Sequence, residues 1–312
     1  IFKGRLGPGQ AIAIDLDKGK VYDSKNLKNK ISKDYKKYNK QIIDLGKKIS
    51  TDNESPKFTG EELKKRQFLS GLSVEDLELI LHPMAEEGKE ASGSMGDDTP
   101  VAVLSSHFRP VSHYFRQNFS QVTNPPIDSL RENKVMSLKT RFGNLGNILD
   151  FDNLTKEDIF VLDSPILTNS QFKKFYKIFS KKIKVIDCTF KTNASLKDRI
   201  QEIREECETA VREGSSSLIL SDKDISNERA SIPSVLAVGA AHSHLVKNGL
   251  RGYCSLNVEC SDALDTHSFA ILIGVGATTI NPYLAIDSIY QRFEKKLFGK
   301  SDFESCVLKF KE

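Results

Sequence analysis

The sequence lacks three features that would narrow its function at once: a paired-cysteine motif, a long apolar run and a strong net charge. Its five cysteines are odd in number and widely spaced, with no CxxC pair, which argues against a disulfide framework and a thiolate metal site. No stretch approaches the roughly 18 apolar residues of a membrane helix. A net charge of +4 does not by itself indicate nucleic-acid binding. With no secretory signal at its start, the chain is predicted to be cytoplasmic, with reduced thiols.

What is present is typical of a soluble globular protein. The chain has 312 residues, enough for one large domain or for one domain with an appendage, and 38% of them are hydrophobic. It begins with Ile1 in place of methionine and stops at Glu312 inside an apolar-polar pattern. Both ends are therefore expected to be cuts through a longer polypeptide.

Residues 18–48 carry eleven lysines against three aspartates. One interpretation is a basic arm for nucleic acid or an acidic membrane surface. The simpler one is a solvated helical linker after a short strand at residues 11–16, because apolar residues recur at helical spacing from Ile31 to Leu45. Residues 50–60 are polar and predict an exposed loop.

A well-marked helix start follows at Ser73, a serine N-cap with Asp76 three residues later. Leu72 and Leu77 stand at the positions of a hydrophobic staple, and Pro83 limits the last turn of this helix. Beyond it, we predict a strand at residues 101–104 and two further helices, whose apolar positions are Val111, Phe115, Phe119 and Val122 for the first and Ile127, Leu130 and Leu138 for the second.

After about residue 150, short apolar runs alternate with amphipathic helices. The runs at residues 160–162, 183–186, 217–220 and 255–258 predict strands. Helices are expected to start near Ser170, Ser195 and Ser231. This alternation predicts an α/β fold with a parallel sheet and flanking helices, either open or closed into a barrel.

Residues 269–279 (FAILIGVGATT) imitate a strand that leads into a dinucleotide-binding glycine loop. The third glycine is missing, and Pro282 stands where the phosphate-binding helix should begin. A buried helix ending at Gly274 and Gly276, followed by a strand at residues 278–281, fits better. His242 and His244 are two residues apart on a helix and point in different directions, so they are not expected to share a metal ion.

Four loops share an unusual content of glycine, asparagine, aspartate and proline: residues 4–10 (GRLGPGQ), 93–100 (GSMGDDTP), 121–128 (QVTNPPID) and 280–285 (INPYLA). Together they resemble the glutamate synthase large subunit, in the part between its glutamine-hydrolysing domain and its flavin-binding barrel. The resemblance covers almost the whole chain and is weakest at residues 18–69.

The resemblance implies a division of the chain. Residues 1–66 would be the strand and linker leaving the amidotransferase domain, and residues 67–298 the central domain, helical at 67–150 and α/β at 151–298. Residues 299–312 would begin the linker to the flavin domain. The family's central domain is similar to a degenerate (β/α) barrel related to the flavin-binding barrel, and we expect that architecture here.

The resemblance also implies a structural role in an oxidoreductase that converts glutamine and 2-oxoglutarate into two glutamates. FMN and an iron–sulfur cluster belong to other parts of that enzyme, so no cofactor, metal or catalytic residue is expected in this chain. The implied partners are the amidotransferase and FMN domains of the same polypeptide, and the enzyme's small subunit is a further candidate. No nucleic acid or membrane is expected as a partner, and exposed apolar patches could make the isolated piece self-associate.

By the same resemblance, the loops at residues 93–100 and 121–128 are expected to form the wall of an ammonia tunnel or to make interdomain contacts. A tunnel wall needs neutral polar groups, because a free charge would trap or protonate ammonia. The candidate tunnel or contact residues are Met95, Gly96, Asp97, Asp98, Thr99, Thr123, Asn124, Pro125, Pro126 and Arg131. Two alternatives stay open: a stand-alone barrel enzyme that uses Asp97, Asp98 or His267, and a basic-arm protein that binds nucleic acid through residues 18–48.

Overall fold

The computed structural model describes most of the chain in full atomic detail. The described residues are 3–35, 42–46, 49, 54–90, 99–100, 102–106, 109–116, 118–120, 122–123, 125–147, 149 and 159–312.

A four-stranded parallel sheet organises the second half of the chain. Its strands, in spatial order, are β11 (Thr279–Asn281), β10 (Ser255–Glu259), β8 (Ser217–Ser221) and β6 (Ile183–Asp187). Every residue of β8 and β10 is buried, as expected for strands covered on both faces. The predicted parallel sheet is thus confirmed.

Helices cover both faces of this sheet. The connecting helices α6 (Leu196–Arg212), α7 (Ser234–Lys247) and α8 (Thr266–Gly274) contribute to the same core cluster as Leu218 and Leu220 of β8. Ile219 points to the opposite face and packs with Phe175 of α5 (Asn169–Phe179). This reversal between neighbouring residues follows from the two-residue period of a strand. The last helices are α9 (Tyr283–Glu294) and α10 (Phe303–Lys311).

Three smaller sheets complete the strands of the described residues. β1 (Ala13–Asp15) pairs with β2 (Lys20–Tyr22), and β7 (Thr189–Lys191) with β9 (Arg229–Ser231). In the third sheet, β5 (Ile159–Leu162) lies between β3 (Ile42–Asp44) and β4 (Thr140–Phe142). The described strands do not close into a barrel, although Ile166 forms a parallel bridge to Ile280 at one edge of the large sheet.

The lysine-rich segment is helical over a shorter stretch than predicted. α1 spans Ser24–Tyr35, but residues 42–44 form β3, whose middle residue Ile43 packs into a core cluster. Ile42 and Leu45 therefore do not belong to the helix that the apolar spacing predicted. Pairing with β5 overrides the local pattern there.

The helices that precede the α/β half pack against its last two helices, α9 and α10. α2 spans Gly60–Leu69, and a π-helical turn, Asp76–Leu81, continues directly into α3, His82–Glu87. The capping box at Ser73 is confirmed, since the Asp76 amide donates to Ser73 Oγ at 3.0 Å and the Ser73 amide donates to Asp76 at 2.8 Å. The wide π turn lies just before Pro83, which has no N–H for an ordinary helical bond.

Three predicted elements between residues 101 and 138 are wrong or too long. Residues 102–104 form a turn in place of a strand, and Leu104 is 99% exposed. The helix expected from Val111 is only a single 3₁₀ turn, Val111–Tyr114, and the next helix, α4, covers just Ser129–Val135. Apolar spacing predicted helices here, but most of these side chains have no core to pack against within the described residues, and packing supplies most helical stability.

The corner between α7 and α8 is held by Arg251. Its guanidinium donates to His242 Nδ1 at 3.1 Å and to the carbonyls of Cys254 and Gly276 at 2.7 and 2.8 Å. Burial, and the nearby Arg251 charge, lower the pKa of His242, so this ring is a neutral acceptor. His244 instead lies 2.6 Å from Glu208, so the two histidines have separate partners, as their spacing predicts.

Candidate functional site at the carboxyl edge of the sheet

Polar side chains stand in one row where the parallel strands end. Ser221 of β8 is in register with Glu259 of β10, which is in register with Asn281 of β11. All three are at least nine-tenths buried. The carboxyl edge of a parallel sheet is where ligands bind in open α/β folds and in barrels, so this row is the first candidate site.

A short segment, residues 54–58, lies across this edge and is called the strap below. The Lys57 ammonium of the strap lies 2.5 Å from Glu259 Oε1 and 2.6 Å from Asn281 Oδ1. The other oxygen of Glu259 accepts from the Ser221 hydroxyl at 2.5 Å. Burial opposes ionisation of Glu259, but Lys57 and Ser221 outweigh it and lower its pKa. The carboxylate is therefore ionised and paired.

The backbone of the strap is held by Asp287 of α9, which is fully buried. The amides of Lys57 and Phe58 donate to its two oxygens at 2.9 and 3.0 Å, and Asn169 Nδ2 donates at 2.9 Å. Burial raises the pKa of Asp287 to about 6 in spite of these donors. The network continues from Asn169 to Asn281, whose amide donates at 3.0 Å.

The start of the strap is bound at the N-terminus of α5. The Glu54 carboxylate accepts from the Ser170 amide at 3.2 Å and from its hydroxyl at 2.6 Å, where the helix dipole favours negative charge. The prediction of an exposed loop at residues 50–60 is wrong for the strap, because Glu54 and Lys57 both bind the α/β half. Residues 50–53 lie outside the described part.

A second buried carboxylate, Asp222, lies just beyond the end of β8. It accepts from the amide and the hydroxyl of Ser261 at 3.0 and 2.6 Å. Burial, together with the nearby Asp262 charge, raises the pKa of Asp222 to about 7. Asp262 itself accepts from the amide and the hydroxyl of Ser234, at the start of α7.

Asp222→Asn should remove a loss of stability that occurs as the pH rises from about 4 to about 7. A carboxyl group with a pKa near 7 when folded and near 4 when unfolded binds its proton more tightly in the folded state. Its contribution to the free energy of unfolding is therefore present below about pH 4 and is lost as the pH rises to about 7. Between pH 5 and pH 8, the free energy of unfolding of the Asn variant should increase relative to that of the parent by about 1–3 kcal/mol, as measured by urea unfolding.

The exposed neighbour Asp224 provides the matched control for this substitution. Asp224→Asn should follow the pH profile of the parent chain. If the Asp222→Asn profile stayed parallel to that of the parent from pH 5 to pH 8, the buried carboxyl would not be the titrating group.

Next to these carboxylates is a cavity of about 280 Å³ between the helical part and the starts of α7 and α8. Its polar lining includes Ser112, Ser234, Asp262 and Asp265. His267, a candidate in the rival enzyme interpretation, lies behind this wall and donates from Nε2 to the Ser112 carbonyl at 3.0 Å. It is thus a buried, hydrogen-bonded histidine. Asp97 and Asp98 lie outside the described residues.

The candidate tunnel residues that the structure describes are all on the surface. Thr99, Thr123, Pro125, Pro126 and Arg131 are exposed. Arg109 donates to the Thr99 carbonyl at 3.2 Å, and Arg131 pairs with Asp128 of its own helix cap at 2.7 Å. Met95, Gly96, Asp97, Asp98 and Asn124 lie outside the described residues.

Comparison with known proteins decides the family. The model of the glutamate synthase central domain matches residues 65–310, most of the chain. The chain belongs to the glutamate synthase central domain family. The resemblance to the glutamate synthase large subunit is thereby confirmed.

Curated relatives of this central domain are glutamate synthases from bacteria and plants. The chain is 49% identical, over its whole length, to the glutamate synthase [NADPH] large chain of Azospirillum brasilense, and covers 21% of that protein. It is 37% identical to the large chain of Bacillus subtilis, over 99% of this chain and 20% of that one. Ferredoxin-dependent glutamate synthase 2 of Arabidopsis thaliana is 39% identical over 93% of this chain and 18% of its own length. The central domain chain thus spans about a fifth of these relatives.

The described residues contain neither a cluster of metal-ligating side chains nor a helix suited to cross a membrane. Within the part of the chain that the structure describes, no group of three or more His, Cys, Asp or Glu side chains is placed to hold a metal ion. Helices in that same part are too short or too polar to cross a bilayer. The five cysteines are all buried as free thiols.

Proposed function

We propose that this chain is the non-catalytic structural domain of a glutamate synthase. In this role it joins the amidotransferase and FMN domains of one polypeptide and helps to wall the passage that carries ammonia between them. The whole enzyme would convert glutamine and 2-oxoglutarate into two glutamates, with FMN and an iron–sulfur cluster bound outside this chain. Family membership and the coverage of about a fifth of each relative support this assignment.

The strap is the observation that carries the non-catalytic part of the proposal. In an α/β enzyme, the carboxyl edge of the sheet is open to substrate. Here Lys57 fills that edge and pairs with the Glu259 carboxylate. The backbone amides of the strap donate hydrogen bonds to the Asp287 carboxylate. A carboxylate that is paired and covered by its own chain is not available as a general base.

Exposed apolar side chains support the joining role. Val103, Leu104, Phe119 and Leu130 are each at least 85% exposed in the segment between α3 and β4. Several highly exposed apolar side chains in one segment are consistent with a surface that a neighbouring domain covers. The proposed partners on this side are the neighbouring domains of the same polypeptide.

Thr99→Trp tests the tunnel assignment in the complete enzyme. A bulky ring at the tunnel mouth should obstruct ammonia transfer without touching either reaction centre. We expect the ratio of glutamine hydrolysed to glutamate formed from 2-oxoglutarate to rise at least about threefold, which corresponds to an added transfer barrier of about 0.7 kcal/mol. Glutamate synthesis from added ammonium should stay close to that of the parent enzyme.

Thr192→Trp is the control, because Thr192 is an exposed threonine on the turn before α6. It should leave the ratio unchanged. Tight coupling in the Thr99→Trp enzyme would remove Thr99 from the tunnel, and equal loss of both synthetic activities would indicate a general structural defect.

A further inference from the structure

The surroundings of the Lys57 ammonium form a complete recognition site for a cation. Glu259 supplies a carboxylate at 2.5 Å and Asn281 an amide oxygen at 2.6 Å. The rings of Phe172 and Tyr283 have their centroids 5.0 and 5.3 Å from the nitrogen, within the range of cation–π attraction. All four residues of the site are more than nine-tenths buried, so the site is built into the core of the domain.

Each element of the site comes from a different part of the fold. Glu259 and Asn281 end neighbouring strands, Phe172 belongs to α5, and Tyr283 begins α9. Only the cation comes from the strap, which is attached to this edge through the Asp287 and Ser170 contacts. The receiving groups therefore belong to the α/β half, and Lys57 is a separate piece that fits them.

We infer that the carboxyl edge of the sheet is a binding site for a primary ammonium group, which Lys57 occupies from within the chain. A free ligand of this class would be a short alkylammonium ion, and it could enter only when Lys57 is absent or withdrawn. A cleft of about 700 Å³, lined by Lys57, Glu259 and Phe172, leads to the site.

The charge of the outer cleft does not favour the binding of a cation. Lys173, Lys174, Lys177 and Lys223 also line it, so its outer wall is positive. A cation gains its stabilisation only at the inner end, from Glu259 and the two rings. Neutralising Glu259 should therefore abolish binding, and this makes Glu259→Gln the decisive control.

Lys57→Ala in the 312-residue chain tests the inference, because it removes three methylene groups and the ammonium, the atoms of n-propylammonium. The unfolding temperature of this variant should rise saturably by about 2–3 °C when n-propylammonium chloride replaces sodium chloride at tenfold excess over its Kd. Neutral n-propanol should give no such rise. The parent chain should not respond either, since its site is filled.

Two matched variants separate binding from a general solvent effect. Lys57→Met keeps an unbranched chain in the site without the charge, so no void is left and no rise is expected. Lys57→Ala combined with Glu259→Gln leaves the void but removes the carboxylate, and it should not respond. A response of equal size in this double variant, or with n-propanol, would overturn the inference.

Folding failure of Lys57→Ala would still give an answer. In that case the variant is refolded with n-propylammonium or with sodium chloride, and native circular dichroism is measured. Recovery with the ammonium salt alone supports the site, and failure with both salts counts against it.

Discussion

Gly276→Ala is expected to destabilise the chain by more than about 3 kcal/mol, or to prevent folding. Gly276 has a φ of 119°, which side-chain-bearing residues rarely adopt, and a Cβ built on it would lie 2.3 Å from Nδ1 of His242. The ring cannot move away freely, because Arg251 donates to the same nitrogen and also to the Gly276 carbonyl. Urea unfolding followed by circular dichroism gives the free energy of unfolding.

Gly274→Ala is the natural comparison, two residues earlier at the end of α8. No atom lies within 4 Å of its built Cβ, and alanine favours a helix over glycine by up to about 1 kcal/mol. This variant should be neutral or slightly more stable than the parent. Similar losses at both positions would show that the contact with His242 is not the cause.

Asp287→Ala should cost about 3–5 kcal/mol, since it leaves buried donors without their acceptor. The amides of Lys57 and Phe58 and the side chain of Asn169 all lose their partner. The strap should detach, and proteolysis near residue 57 should become faster. Limited proteolysis together with thermal unfolding measures both effects.

Asp302→Ala removes a carboxylate that caps α10 at an exposed position, where the Ser305 amide donates to it at 2.8 Å. A cap of this kind contributes about 1 kcal/mol, so the loss should be several times smaller than at Asp287. Unchanged proteolysis around residue 57 in Asp287→Ala would contradict the anchoring role of Asp287.

The α/β half could be predicted from the sequence because its signals are local. A fully apolar run such as residues 218–220 is expected to be buried, and it is. Ser195 with Asp198 marks a helix start, and the structure confirms it with a 3.3 Å hydrogen bond from the Asp198 amide to Ser195 Oγ. The same apolar spacing failed at Phe115 and Phe119, which are exposed in the described chain. Spacing predicts a helix only when a core is available to receive its apolar face.

The candidate site was missed for a different reason. No sequence motif singles out Glu259, and Lys57 lies inside a segment that was predicted to be an exposed loop. Their contact joins residues 202 positions apart, and no local pattern predicts such a pair. One signal was present, since the strands predicted at residues 183–186, 217–220 and 255–258 are each followed by a polar residue, and these residues are in register at one edge of the sheet. What the sequence pattern did not predict is that residues 54–58 cover that edge.

The strap also sets an order of events during synthesis. Lys57 is made 224 residues before Asn281 and 230 residues before Asp287, the groups that receive its side chain and its amide. At about 5–20 residues per second, a ribosome needs roughly 11–46 seconds to add the intervening length. Until then, Lys57 of the nascent chain has no acceptors for its side chain. Any domain upstream of the strap can therefore fold before the strap is attached to the sheet.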